Sequence, residues 1–344
     1  MFGICLIPFM YSISSQSGFS STTGTLLFTS NAVKAPLEEF RSYITNFSPL
    51  LAKTFFNMPL ALSWQYLKNI ISYINIDFLF LTGSAHGNHG IQTAGQFYMF
   101  ELFTILIGLC LIIRTYKKPS WIIIGWIFIT ILVASLTRES PHATRSLFMS
   151  SPLILLSSAG TLYTFYLIQK QQKFIRLILS TIVTFVISYS LIIYFSSYYL
   201  RFPIYYASAW KSADYELSKF LQNQETKYDK IIIDNNSGFI YTSFLFYTAY
   251  PPEIFQSTQK RAPDDNEGFS EILSFGNLEI RTPDPDIDSS GTKNLIVSAS
   301  EINHPNLNNV ITIYYPKKPV VLSIKEQLVR YPVEEAAYYI YETL

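Results

Sequence analysis

Four long apolar stretches constrain this chain of 344 residues more than any other feature of its sequence. They cover about 97–113, 120–136, 147–168 and 175–195. An α-helix needs about 20 mostly apolar residues to cross the hydrocarbon core of a bilayer. The sequence therefore predicts a polytopic α-helical membrane protein with about four full spans, which form a bundle at 97–199.

Charge and cysteine content exclude several classes of protein. Only 14% of the residues are charged, against roughly 25% in ordinary soluble domains. Since 25 basic and 24 acidic residues give a net charge of +1, the chain has no field that would attract nucleic acid, and we expect no nucleic-acid partner. Cys5 and Cys110 both lie in apolar runs, so neither a disulfide framework nor a cysteine zinc site is predicted.

Basic residues between the apolar stretches predict the orientation of the chain. Two short connectors are basic, one with Arg114, Lys117 and Lys118 and the other with Lys170, Lys173 and Arg176. By the positive-inside rule both connectors face the cytoplasm. The loop Leu136–Ser146, the residues before Phe97 and those after Phe195 are then extracytoplasmic. We expect a multi-pass protein of the cell membrane whose C-terminal domain lies outside the cytoplasm.

The N-terminus carries a short apolar run at residues 2–10. About ten residues cannot cross a bilayer. A signal peptide is the alternative, but the basic segment and the cleavage site that it needs are not evident. We therefore expect residues 1–14 to be a partial transmembrane helix, the end of a span that begins upstream.

Residues 15–96 predict an extracytoplasmic region of amphipathic helices. Two stretches, 37–47 and 50–76, carry apolar residues at helical spacing, interrupted by charges and prolines. Two interpretations remain open. The helices lie in the membrane interface, or they form a short soluble layer packed on neighbouring segments.

Residues 200–344 predict a small extracytoplasmic α/β domain, because helical and strand patterns alternate there. The predicted helices are 209–222 and 238–250, and the predicted strands are 230–234, 294–298, 310–315 and 320–324. Such a domain is large enough to bury a core of its own.

The loop at 136–146 carries the most informative polar residues. Arg138, His142 and Arg145 lie close together on the predicted outer side, where positive charge is not needed for orientation. Arginine offers a planar fork of donors to phosphate oxygens, and histidine adds a donor that titrates near neutral pH. The loop could therefore hold a phosphate group. Alternatively, both arginines extend from helix ends to the interface and pair with Glu139 or with lipid headgroups.

A glycine-rich segment at 83–96 precedes the first long apolar stretch. His86 and His89 have a spacing seen in metal sites, but no acidic or cysteine ligand lies near them in sequence. The glycine content favours a flexible segment that leads into a span, and we predict no metal site. Glu101 lies just inside that span, where a carboxylate is costly. It has either a functional role or a hydrogen bond at the outer interface.

Several short motifs follow one another along the chain. They are Phe78-Leu79-Phe80, Gly83 with His89, Gly95-Gln96-Phe97-Tyr98, Phe100-Glu101-Leu102, Thr137-x-Glu139-x-Pro141-His142-Ala143-x-Arg145, Tyr205-Tyr206, Ala209-Trp210-Lys211, Phe244-Leu245-Phe246-Tyr247 and Tyr250-Pro251-Pro252. In this order they resemble the C-terminal half of GT-C membrane glycosyltransferases, the class of dolichyl-phosphate-mannose protein mannosyltransferases and of bacterial relatives that modify lipopolysaccharide. The resemblance covers most of the chain. Ser84 and Asn88 depart from it, since an acidic and a basic residue are expected there.

The resemblance implies a sugar delivered on a polyprenyl phosphate, which leaves at the outer membrane surface. Charge builds on the leaving phosphate, so Arg138, His142 and Arg145 would stabilise the transition state. Glu139 and His89 complete the candidate substrate-binding set. The family places its catalytic carboxylate in the first extracytoplasmic loop, which we expect upstream of this chain. No residue here is therefore assigned as catalytic, and no cofactor is implied.

We thus expect the C-terminal part of a membrane glycosyltransferase, which transfers a sugar from a polyprenyl-phosphate-linked donor to an extracytoplasmic acceptor. Its expected partners are that donor, membrane lipids and a separately encoded N-terminal half. The alternative is a non-catalytic membrane-anchored protein whose outer domain binds a glycan or a partner. A transporter fits less well, because the apolar stretches lack internal repeats and ionisable groups at mid-depth.

Overall fold

The chain divides into two compact units, Met1–Leu200 and Arg201–Leu344. The computed structural model describes residues 26–27, 31–235, 240–263, 270–289, 292–324 and 327–343. The partial membrane helix expected at 1–14 lies outside the described residues, and so does the start of the helix expected at 238–250.

The described part of the first unit is mainly helical. Its elements are α1 (Asn31–Phe47), α2 (Pro49–Phe55), α3 (Met58–Ile74), a π-helical turn (Asp77–Leu81), α4 (Met99–Thr115), α5 (Lys117–Ala134), α6 (Leu147–Gln169) and α7 (Lys173–Ser196), which continues as a π-helical turn at Ser197–Arg201.

Side-chain caps and prolines determine where α2 and α3 begin. The side chains of Ser48 and Asn57 each accept a hydrogen bond from the backbone N–H three residues later, at 3.4 and 3.1 Å. Pro49 and Pro59 lie in the first turns that follow, where a helix does not need the N–H that proline lacks. The amphipathic region is therefore divided into three separate helices rather than one.

The prediction of about four membrane spans is wrong. In the described part of the chain, two helical segments are long and apolar enough to cross a membrane. They are Leu147–Gln169, with 23 residues and a mean hydropathy of 1.3, and Lys173–Tyr205, with 33 residues and a mean hydropathy of 2.2. The orientation predicted for the connector at Arg114–Lys118 depended on four spans and is withdrawn with them.

The other two apolar stretches form helices that are too short. Helix α4 has 17 residues, which at a rise of 1.5 Å per residue gives about 25 Å, less than the roughly 30 Å hydrocarbon core. Helix α5 begins with two lysines, and its apolar part is limited to Ser120–Ala134. Beyond Ala134 the chain leaves the helix and turns into the loop at 136–146.

Helices α4 and α6 pack with their backbones in contact. A Cβ atom on Gly160 would lie 1.8 Å from the carbonyl oxygen of Thr104, and one on Gly108 would lie 1.9 Å from that of Leu156. The hydroxyl groups of Thr104 and Ser157 are 2.9 Å apart in the same interface. Glycine and small hydroxyl residues allow this close approach, which is typical of helix pairs in membranes.

The second unit contains short helices and a mixed sheet. Its elements are α8 (Phe202–Tyr205), α9 (Asp214–Gln222), β1 (Lys230–Ile233), α10 (Ile240–Thr248), α11 (Pro252–Thr258), β2 (Lys260–Arg261), β3 (Ile272–Phe275), β4 (Leu278–Ile280), α12 (Pro285–Asp288), β5 (Asn294–Ser298), β6 (Leu307–Tyr314), β7 (Lys318–Ile324), β8 (Gln327–Val333) and β9 (Ala336–Thr343).

Seven of these strands form one sheet, in the order β2-β3-β4-β1-β5-β9-β6, while β7 and β8 form a separate hairpin. Strand β1 is parallel to both β4 and β5, and Ile231 is in register with Leu278 and Leu295. A strand between parallel neighbours is buried on both faces. This explains why Ile231, Ile232 and Ile233 form an unbroken apolar run, all of it buried.

The buried carboxylate of Asp214 links α9 to α10 and to β9. Asp214 accepts hydrogen bonds from the hydroxyl groups of Ser243, at 2.6 Å, and Tyr338, at 2.5 Å. Burial and the Asp214 charge raise the pKa of the Tyr338 hydroxyl, so this tyrosine stays protonated and continues to donate. Asp214 therefore has a structural role in linking α9, α10 and β9.

Candidate functional site

Side chains of α3 fix the backbone at the start of the loop at 136–146. Tyr66 Oη donates to the carbonyl of Leu132 at 3.0 Å, and Tyr73 Oη lies 3.4 Å from that of Ala134. Asn69 Nδ2 donates to two carbonyls beyond them, those of residues 135 and 137, at 3.0 and 3.1 Å. The spacing of 66, 69 and 73 places the three side chains on one helix face. They satisfy carbonyls that the end of α5 leaves unpaired.

Two histidines that are far apart in sequence meet beside this loop. The ring centroids of His89 and His142 are 4.2 Å apart, with an angle of 46° between the ring planes. His142 is 6% exposed. Its backbone N–H donates to Tyr73 Oη at 3.2 Å, and its Nδ1 is 2.9 Å from Thr144 Oγ1. His86 lies next to His89, with ring centroids 6.3 Å apart.

Arg145 pairs with Glu139 across the same loop. Its guanidinium lies 3.3 Å from Glu139 Oε2 and also donates to the Glu139 carbonyl at 3.2 Å. The side chains of both residues remain partly exposed. This is the pairing with Glu139 that the alternative interpretation of the loop predicted for an arginine.

The surroundings of His142 favour its neutral form. Burial lowers the pKa of its imidazole, and the nearby charges of Arg145, His89 and His86 lower it further, while Glu139 acts in the opposite direction. An anion placed beside His142 would reverse this balance, because negative charge stabilises the imidazolium.

The glycine-rich segment positions His86 and His89 through its backbone. Gly83 has a φ of 81°, a left-handed conformation that glycine adopts readily. A Cβ atom on Gly95 would lie 2.3 Å from the backbone nitrogen of Phe80, so the segment packs directly on the π-helical turn. Gln92 Nε2 donates to the carbonyls of Ser84 and His86. The segment is thus held by specific contacts and is not simply a flexible lead.

The structure brings together four of the five predicted substrate-binding residues. His89, Glu139, His142 and Arg145 form one cluster, which we call the His–Arg cluster. Arg138 lies in the same loop with an exposed side chain. The predicted substrate-binding set did not include His86, although His86 lies three residues before His89 in the sequence. It also missed Asn69 and Tyr73, for which the sequence carries no local signal.

Glu101 has a structural role outside this cluster. Its Oε2 accepts a hydrogen bond from the backbone N–H of Tyr98 at 2.9 Å, which caps the start of α4. Its Oε1 accepts one from the hydroxyl of Ser157 in α6 at 3.2 Å. Of the two interpretations of Glu101, these contacts favour the hydrogen-bonding one.

The His–Arg cluster combines donor groups of a kind that bind anions. Arginine and imidazole groups converge on one loop, and among the described residues no group of three or more histidine, cysteine, aspartate or glutamate side chains could hold a metal ion. No protein-family model, curated protein or solved structure matches the chain.

Proposed function

We propose that this chain serves in a membrane glycosyltransferase that transfers a sugar from a polyprenyl-phosphate-linked donor to an extracytoplasmic acceptor. In this proposal the His–Arg cluster binds the phosphate that leaves with the polyprenyl chain. The resemblance to GT-C glycosyltransferases suggests the substrate, and the geometry of the cluster supports the role of the residues.

The observation that carries the proposal is the contact between His89 and His142, at a centroid distance of 4.2 Å, in the loop that contains Arg145. Two segments more than 50 residues apart in the chain supply donors to one place. Arginines that only extended to the interface would not need a pair of histidines beside them. A phosphate site can use such neighbours, because several donors then share the charge of one group.

The residues would stabilise the leaving phosphate as follows. Arg145 is paired with the Glu139 carboxylate, and a phosphate diester can replace that carboxylate as a partner of the guanidinium. The Thr144 hydroxyl engages His142 Nδ1, while Nε2 forms no hydrogen bond within the described part of the chain. Nε2 is therefore the ring atom that can donate to phosphate. Such donors act most strongly where charge develops in the transition state.

We place the cluster on the extracytoplasmic side of the cell membrane. The two candidate spans, Leu147–Gln169 and Lys173–Tyr205, are joined by a connector with basic residues at Lys170 and Lys173. The positive-inside rule assigns that connector to the cytoplasm. The loop before α6 and the second unit then both lie outside. We assign no residue of this chain as the base that activates the acceptor hydroxyl.

Binding of a prenyl phosphate to the full chain in detergent tests the proposal. We expect farnesyl phosphate to bind, and Arg145→Ala to weaken its binding about tenfold, because a charge-assisted bond to phosphate is lost. Arg145→Lys should recover only part of the affinity, since lysine lacks the bidentate fork. Arg41→Ala is the matched control, because Arg41 also pairs with a glutamate, Glu38, at 3.0 Å but lies in α1.

Farnesol and inorganic phosphate separate the parts of the ligand in the same titration. Equal binding of farnesol and farnesyl phosphate would show that the phosphate is not recognised. An Arg145→Ala protein that binds farnesyl phosphate as tightly as the parent and the Arg41→Ala control would remove the His–Arg cluster from the donor site.

A further inference from the structure

A small cavity in the second unit lies away from the His–Arg cluster. It has a volume of about 280 Å³ and is lined by Gln222, Glu225, Thr248, Tyr250, Pro251 and Ile254. These residues come from the end of α9, the end of α10 and the start of α11, which meet at this point. We call it the Glu225–Tyr250 pocket.

Two polar groups face this pocket without partners in the described part of the chain. Neither the carboxylate of Glu225 nor the hydroxyl of Tyr250 forms a hydrogen bond with a described residue. Both residues line the same cavity. Burial and the Glu225 charge raise the pKa of the Tyr250 hydroxyl, and burial raises the pKa of the Glu225 carboxyl. An acceptor and a donor thus line one pocket without bonding to each other.

The position of Tyr250 is fixed by its surroundings. Its ring packs against Phe244 and Phe275, with centroid distances of 6.1 and 5.6 Å. The preceding residue, Ala249, has a φ of 51°, a left-handed conformation that is unfavourable for alanine. Strain of this kind persists where the surrounding structure enforces it, and it is common at functional sites.

A glycine leaves room for the Tyr250 hydroxyl. Gly276 has a φ of 54°, and a Cβ atom there would lie 2.9 Å from Tyr250 Oη. A larger residue would push the hydroxyl away from its place at the pocket. The space beside Gly276 is therefore needed for the observed position of the Tyr250 hydroxyl.

The Glu225 side of the pocket is held by backbone contacts. Asn277 Nδ2 donates to the Glu225 carbonyl at 2.9 Å. Gln222 Nε2 donates to the Thr248 carbonyl at 3.4 Å, which joins the two sides. These bonds use main-chain oxygens, so they leave the carboxylate of Glu225 available to a ligand.

We propose that the Glu225–Tyr250 pocket binds a saccharide through its hydroxyl groups. A sugar hydroxyl donates one hydrogen bond and accepts others, so neighbouring hydroxyls can donate to Glu225 and accept from Tyr250. Pro251 and Ile254 offer an apolar surface to the C–H face of a sugar ring. An anion would be repelled by Glu225, and a single carboxylate is a poor set of ligands for a metal ion. This inference goes beyond the proposed function and requires no sugar transfer.

Saturation-transfer NMR on the full chain in detergent tests this inference. The probes are the methyl glycosides of mannose, glucose, galactose and N-acetylglucosamine, with ethanolamine as an amine that could satisfy Glu225 alone. We expect at least one glycoside to bind with millimolar affinity. Tyr250→Phe should weaken that binding about fivefold and Glu225→Gln about tenfold, because a bond to a charged group is worth more than one between neutral groups.

Matched substitutions separate a binding role from a structural one. Tyr247→Phe and Glu253→Gln change the same residue types in α10 and α11 outside the pocket lining, and both should leave binding unchanged. Circular dichroism checks that every variant is folded. The inference is overturned if no glycoside binds, if only ethanolamine binds, or if both pocket variants bind like the controls. None of these results would affect the test with farnesyl phosphate.

Discussion

The two units of this protein use the same apolar side chains in opposite ways. Helix α7, which is rich in isoleucine, leucine and phenylalanine, contains no buried residue. Strand β5, with the sequence Asn-Leu-Ile-Val-Ser, is buried at all five positions. Apolar side chains thus lie at the surface of α7 and in the core of the second unit, and an exposed apolar helix of this kind is typical of a surface that contacts a membrane or another protein.

Both units pack an apolar core, and the first unit adds close backbone contacts to it. In the second unit, the side chains of α9, α10 and the sheet form a core. In the first unit, buried residues such as Tyr73, Phe78 and Leu156 form an apolar cluster, and glycine contacts and polar bonds add to it. The close approach of Gly108 to Leu156 and the bonds from Asn69 are of this kind.

The largest effect that we expect comes from truncating isoleucine in the two units. Ile231 is 0% exposed in β1, and Ile182 is 52% exposed in α7. Ile231→Ala should lower the free energy of unfolding by about 4 kcal/mol, through lost burial and a cavity. Ile182→Ala should change it little, because its side chain is already at the surface. Chemical unfolding in detergent measures both, and similar losses would contradict the difference in burial between the two side chains.

A smaller effect is expected from adding a methyl group to glycines of the first unit. Gly160→Ala should cost about 2 kcal/mol, since its Cβ would lie 1.8 Å from the Thr104 carbonyl oxygen and α4 and α6 must separate. Gly125→Ala is the matched control, as nothing lies within 4 Å of its Cβ position. Alanine there should be neutral or slightly stabilising. If both variants had the same thermal stability, backbone contact would not hold α4 against α6.

The smallest effect is a change of a few fold in ligand affinity with pH, of opposite sign in the two units. The pKa of His142 is lowered in the free protein, and a bound phosphate diester raises it, so this affinity should increase as pH falls from 8 to 5. The pKa of Glu225 is already raised by burial, and its carboxylate is neutralised as pH falls. Saccharide affinity should therefore decrease over the same range.

Titration of both ligands at several pH values measures this difference. A phosphate diester is the suitable ligand for the first unit, because it does not titrate in this range and any change comes from the protein. His142→Gln should remove the increase, and Glu225→Gln should remove the decrease. Affinities that moved in the same direction would contradict one of the two site assignments.

Sequence patterns located much of the second unit because its strands are short and apolar. The predicted strands 230–234 and 294–298 correspond to β1 and β5, and the predicted helix 209–222 contains α9. Strands β2, β3, β4, β8 and β9 were not predicted. In β9, Tyr338 and Tyr341 are buried in apolar clusters, and the pairing of β9 with β5 and β6 comes from residues that are distant in the chain.

The prediction of about four spans was wrong because the length of an apolar stretch does not show where a helix ends. The stretch 120–136 has a suitable composition, but its helix ends at Ala134, and side chains of α3 bind backbone carbonyls on both sides of that end. Those bonds come from Asn69 and the tyrosines beside it. The sequence of residues 120–136 does not predict these bonds.

The sequence by itself determined the local chemistry of the protein. It placed arginine, histidine and glutamate together in the loop at 136–146, and it marked the apolar segments and the buried strand predicted at 230–234. Only the tertiary structure decided that His89 meets His142, that α4 and α6 touch at glycines, and that Glu225 lies beside Tyr250. These features depend on contacts between residues far apart in the chain, and periodicity and composition describe only the residues nearby.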